Sequence, residues 1–65
     1  MIYIGRKNRM RVVKAVHFGL YLDGGDAGEI LLPSREVPEN ARPGDFLHVF
    51  LYRDSDDRLI ATRKT

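Results

Sequence analysis

Five short runs of β-forming residues, separated by glycine-, proline- and aspartate-rich turns, follow one another in a 65-residue chain without a cysteine. That combination constrains the architecture more than any other feature. A domain this small lies near the lower size at which burial alone supports folding. Without thiols, no disulfide or thiolate-bound metal can staple it. An open sheet would leave strand edges unpaired, so closure into a barrel is the compact solution. Helical periodicity is absent almost throughout, and no repeat, heptad or low-complexity tract is present.

The first strand is expected over residues 10–16 and the second over 18–22. Asp23-Gly24-Gly25-Asp26 follows as a turn cluster that uses glycine backbone freedom. A third strand covers 28–32, with Ile30 and Leu32 on one face and Glu29 and Leu31 on the other. Pro38 and Pro43 break the pattern between residues 33 and 44, where Ser34 is expected to cap one short helical turn reaching Val37. The fourth strand, 46–52, alternates Leu47, Val49 and Leu51 with Phe46, His48, Phe50 and Tyr52. Asp54-Ser55-Asp56-Asp57 forms a polar hairpin loop, and residues 58–62 close as a fifth strand. An all-β chain of five short strands, with its longest connection and one helical turn between the third and fourth, matches an oligonucleotide/oligosaccharide-binding (OB) barrel. Residues 1–65 make a single domain. Both faces of the fourth strand are apolar. Phe50 and Tyr52 therefore either wrap onto a loop or chain end, or face a neighbouring domain.

The segment His17-Phe18-Gly19-Leu20-Tyr21-Leu22 is the main pointer to chemistry. Simple alternation sends Phe18 and Tyr21 to opposite faces, whereas a bulge at Gly19 would turn both rings to the same side. Two rings beside cations form a surface on which unpaired bases stack. Core or domain-docking rings are the alternative.

Charge distribution says more than the net +2. Arg6, Lys7, Arg9, Arg11 and Lys14 precede any acid, the nine acidic residues lie between Asp23 and Asp57, and Arg58, Arg63 and Lys64 follow. If the first and last strands lie close, the two basic segments merge into a phosphate-attracting patch. An ordinary solvated surface is the alternative.

Other functional classes find little support. Asp54-x-Asp56-Asp57 lacks the glycine and distal glutamate of a calcium loop, and His17 and His48 have no metal-ligand spacing. Ser34 and Ser55 sit in polar turns without a nucleophile elbow, and Gly24-Gly25 is followed by acid rather than lysine. No catalytic residue, metal ligand or cofactor is expected, and the chain is expected not to be an enzyme. Met1-Ile2-Tyr3-Ile4 is too short for a signal-peptide core, and Ile30-Leu31-Leu32 cannot span a membrane. A cytoplasmic location without membrane association is therefore expected.

Val12, Phe18-Gly19-Leu20-Tyr21-Leu22, Gly28-x-Ile30-x-Leu32, Pro43-Gly44-Asp45, Asp54 and Arg58-Leu59-Ile60-Ala61-Thr62 occur in an order that resembles the S1-type RNA-binding domain. The wording Val-Val-Lys, Phe-Gly-Leu-Tyr-Leu-Asp-Gly-Gly and Asp-Ser-Asp-Asp-Arg-Leu-Ile-Ala-Thr more narrowly resembles the first such domain of the bacterial conserved virulence factor B family. That resemblance implies the N-terminal domain of a longer multidomain protein, part of a post-transcriptional regulator. It also implies a binding face. Phe18 and Tyr21 match its two aromatics, Leu31 stands at its histidine position, and Asp54 and Arg58 match its loop pair. Lys14, Arg11 and Arg9 are candidate phosphate contacts. The expected partners are single-stranded RNA, more weakly single-stranded DNA, and the other domains of the same protein, with the isolated domain a monomer. A scaffold barrel that docks on neighbouring domains or a protein partner without binding RNA is the alternative.

Overall fold

Alternate residues of each strand turn inward, and in the computed structural model, which describes residues 2–64, they meet in one barrel core. The strands are β1 (Lys7–Val16), β2 (Gly19–Asp23), β3 (Glu29–Pro33), β4 (Phe46–Arg53) and β5 (Leu59–Thr62). They close in the order β1-β2-β3-β5-β4. Every pairing is antiparallel except β3 with β5. The interior holds Met10, Val12, Leu20, Leu22, Ile30, Leu32, Val49, Leu51 and Ala61. Full burial of each larger side chain in this set contributes about 1.5–3 kcal/mol. The outward residues Lys14, Tyr21, Leu31, Ile60 and Tyr52 stand in one register row across all the strands.

The five-stranded barrel expected from the sequence is present, with several local differences. β1 begins at Lys7 rather than at residue 10 because Lys7, Asn8 and Arg9 pair with Phe50, Val49 and His48 of β4. Asn8 turns inward there. Its amide accepts from the Tyr3 N–H at 2.8 Å and donates to the Tyr3 and Arg6 carbonyls at 2.8 and 2.9 Å. A buried amide with its bonds satisfied in this way takes the place of an apolar side chain at the barrel end. β3 begins at Glu29, β4 runs on to Arg53, and β5 begins at Leu59. The turn cluster carries a 3₁₀ turn over Gly25–Ala27. The turn after β3 is also 3₁₀, over Ser34–Glu36, and the Ser34 hydroxyl does not cap it.

The bulge is on the other strand of the hairpin. β2 pairs with β3 without interruption, and the register shift falls in β1 between Val12 and Lys14. Phe18 lies outside β2, in the two-residue connection between Val16 and Gly19.

The short helical turn also fastens the end of the chain. The Glu36 carboxylate is buried and accepts from the Thr62 hydroxyl and the Arg63 N–H, while the Arg63 guanidinium donates to the Glu36 carbonyl. Burial pushes this carboxyl up. The bonds from Thr62 and from the Arg63 and Lys64 amides, with the Arg35 charge, outweigh that and bring it below the ordinary glutamate value. A carboxyl depressed in the folded state stabilises fully above its unfolded pKa and loses that contribution as pH falls through the folded one. The Glu36→Gln variant is therefore expected to be less stable than wild type at neutral pH, with the gap narrowing below about pH 4. Urea melts across that range check this, and a constant gap would contradict it.

Candidate nucleic-acid interface

Tyr21 is fixed by its neighbours in the strand. Leu20 and Leu22 are buried in the core, so the ring between them must stand on the outer face. Phe18 reaches the same side from the hairpin turn, and its ring centroid lies 6.0 Å from that of Tyr21 at an interplanar angle of 89°. His17 extends the cluster, 5.0 Å from Phe18 and again edge to face. The rings thus lie together, but their faces are perpendicular. Each can take one base; they do not form a continuous stack.

The Lys14 ammonium sits 5.1 Å from the Tyr21 centroid, within cation–π range, and 3.3 Å from a Glu29 carboxylate oxygen. On the other side of Tyr21 a shallow groove runs over β3 and β5, lined by Leu31, Ile60, Arg53 and Arg58. Leu31 pairs with Ile60 in the parallel β3–β5 contact, which gives the groove an apolar floor. Leu31 thus occupies the middle of the site and offers contact area without a polar group.

Asp54 organises the β4–β5 loop. Its Oδ1 accepts from the Asp56 and Arg58 N–H groups, each at 2.9 Å, and its Oδ2 lies 3.4 Å from Arg58 Nε. The bond from the Arg58 amide is the largest influence on its carboxyl. Together with the Asp56 amide and the Arg58 charge, it holds the group below the usual aspartate range against partial desolvation. Arg58 also meets Asp56 at 3.3 Å, yet its side chain remains 72% exposed. Such exposed pairs add little stability. Their consequence is positional, because they aim a guanidinium at the groove mouth.

Of the residues singled out in the sequence, Phe18, Tyr21, Leu31, Lys14 and Arg58 come together here, with Asp54 behind Arg58. Arg9 and Arg11 do not. They stand on the part of β1 that pairs with β4, where Arg9 lies opposite His48 and Arg11 opposite Phe46. The two basic segments do not merge through strand pairing either, because β4 separates β1 from β5. Arg63 is drawn instead to Glu36. Sequence reasoning missed Ile60 and Arg53. The alternation of the fifth strand carried a signal for Ile60, but the β3–β5 neighbourhood that makes it useful is a property of the closed barrel. Among the described residues, no group of three or more His, Cys, Asp or Glu side chains is placed to share a metal ion. No helix there is long and apolar enough to cross a membrane.

The S1 domain family model matches residues 4–64. No curated protein and no solved structure matches the chain. S1 domains are nucleic-acid-binding modules. The match covers almost the entire sequence, and the structure beneath it is a closed five-stranded barrel with an aromatic and basic groove. This chain belongs to the S1 domain family.

Proposed function

We propose that this barrel is a single-stranded RNA-binding module with little sequence preference. The observation that carries the reading is the position of Tyr21, between Phe18, Lys14 and the Leu31–Ile60 floor that leads to Arg58. One base stacks on Phe18 and one on Tyr21, and Arg58 contacts phosphate or a further base. The Tyr21 hydroxyl adds a donor for a phosphate or a ribose 2′-hydroxyl, which favours RNA over DNA. In this reading the domain is the N-terminal module of a longer bacterial, virulence factor B-like regulator. It works in the cytoplasm without a membrane and is monomeric in isolation.

The test is an amide chemical-shift titration with an RNA of about four nucleotides, near the lower site size for such barrels. Wild type is expected to shift at Phe18, Tyr21, Leu31 and Arg58, with shifts fading as salt rises. The double variant Phe18→Ala/Tyr21→Ala keeps its fold, since neither ring is in the core, and loses roughly tenfold or more in affinity per stacked base. Full retention of affinity would sink the proposal. The second reading, a scaffold that docks on neighbouring domains, draws on the exposed Phe46 (50%) and Tyr52 (36%). A wild-type spectrum that stays silent with RNA at low salt would favour it.

A further inference from the structure

The cations around the groove are all paired with acids. Lys14 meets Glu29, Arg53 meets Asp57 at 3.7 Å, and Arg58 meets both Asp54 and Asp56. The barrel wall formed by β1 and β4 has the opposite character. Its register sets Lys7 against Phe50, Arg9 against His48 and Arg11 against Phe46. These six side chains point outward, alternating with the inward Asn8, Met10, Leu47 and Val49. Each cation therefore stands beside an aromatic ring. The Arg9 guanidinium carbon lies 3.9 Å from the Phe46 centroid, and that of Arg6 lies 5.4 Å from the Tyr3 centroid. The Tyr3 and Phe46 rings are both half exposed.

No carboxylate of the described residues pairs with Arg6, Lys7 or Arg9. Arg11 alone has one, Asp23 at a long 3.9 Å. The segment that carries Tyr3 and Arg6 is tied down. Asn8 bonds both of their backbones, and the Gly5 N–H donates to the Leu51 carbonyl at 2.7 Å. The surface thus sets flat rings beside the charges of Arg6, Lys7 and Arg9 on a backbone that is tied down.

We propose that the β1–β4 wall is a second RNA contact surface, which takes the backbone of a strand that continues around the barrel from the groove. This inference rests on the RNA-binding reading for its ligand class. Arg6, Lys7 and Arg9 would neutralise phosphates, and the Phe46 ring with Arg9 above it offers a stacking edge for a base. The division of labour follows from charge. The groove orients bases through rings and carboxylate-held cations, whereas the wall supplies most of the uncompensated electrostatic attraction. The rings spaced between the cations offer faces on which bases stack, and this fits a nucleic acid better than a partner held by charge alone.

The experiment compares uridylate RNAs of about 4 and about 16 nucleotides, the limits of site size for one such barrel. Fluorescence anisotropy is measured over a range of salt concentrations for wild type, Arg6→Gln/Lys7→Gln/Arg9→Gln and Phe46→Ala. The triple variant is expected to bind the short RNA as wild type does and the long one roughly tenfold or more weakly. Its slope of log affinity against log salt for the long RNA should fall by about 2, as three phosphates on a single strand imply. Phe46→Ala should weaken the long RNA with its slope intact. An unchanged affinity and slope for the long RNA in the triple variant would overturn the proposal. So would a charge-dependent binding to phosphatidylserine vesicles tighter than that to the long RNA. The two readings separate cleanly. Failure of wild type to bind the short RNA removes the groove, while a charge-dependent long RNA complex in the same protein retains the wall.

Discussion

Gly19→Ala is expected to be among the most damaging single substitutions in this chain, although it adds one methyl group. An added Cβ would lie 2.2 Å from the Leu32 carbonyl oxygen and 3.1 Å from the nearest Leu31 methyl carbon. The first of these is backbone of the paired strand and cannot rotate away. Gly19 also has φ +152°, which a side-chain-bearing residue rarely adopts. Relief requires β3 to move off β2 at the place where Gly19 pairs with Pro33. The expected cost is about 3 kcal/mol or more. A domain of this length has only about 3–10 kcal/mol in total. The displaced strands are those that carry Tyr21 and Leu31, so any remaining folded protein should bind short RNA less well. Gly25→Ala is the comparison, because Gly25 has φ +64° with open space around its Cβ position. Its cost should be limited to about 1–2 kcal/mol of left-handed backbone strain. Urea denaturation of both variants decides the matter, and equal costs would show that the Leu32 contact does not govern β2.

Leu22→Ala should remove about 3–5 kcal/mol, the range for a leucine truncated inside a close-packed core. Leu22 is fully buried, pairs with Val12 on one side and Ile30 on the other, and belongs to the single cluster that fills the barrel. The adjacent Tyr21→Ala makes a stringent control. Its ring stands on the outer face, so its loss should affect RNA binding far more than stability. Thermal melts should therefore separate two neighbours in sequence by several kcal/mol. If the order were reversed, β2 would have to be turned by one residue, which exchanges its two faces completely.

How far the chain could be read in advance differs between its parts for identifiable reasons. Leu20, Leu22, Ile30, Leu32, Val49 and Leu51 alternate with outward residues, and two-residue periodicity translates directly into the two faces of a strand. The same periodicity fails at Lys7, Asn8 and Arg9. Three polar residues in succession carry no strand signal, and they are extended because β4 offers hydrogen bonds along their length. At the groove, Phe18 and Tyr21 could be singled out because they lie close together in one short segment, whereas Leu31 required the family resemblance. Arg58 required the family resemblance, and its pairing with Asp54 and Asp56 required the folded loop. The bulge expected at Gly19 is absent, and Phe18 reaches the side of Tyr21 from the turn that precedes β2. What requires glycine at residue 19 is its close approach to the Leu32 carbonyl, and the register shift lies in β1.

What the sequence determined by itself is local: which residues face inward, where the chain turns, and which rings and charges are available. Those properties depend on side-chain period and backbone freedom over a few residues. Only the tertiary structure decided which cations are neutralised and which remain free, because that depends on strand order. Placing β4 between β1 and β5 separates the two basic segments and sets Lys7, Arg9 and Arg11 against Phe50, His48 and Phe46. Pairing β3 with β5 brings Leu31 to Ile60 and Arg58 to the groove. Charges interact through space, and barrel closure makes neighbours of residues that are distant along the chain.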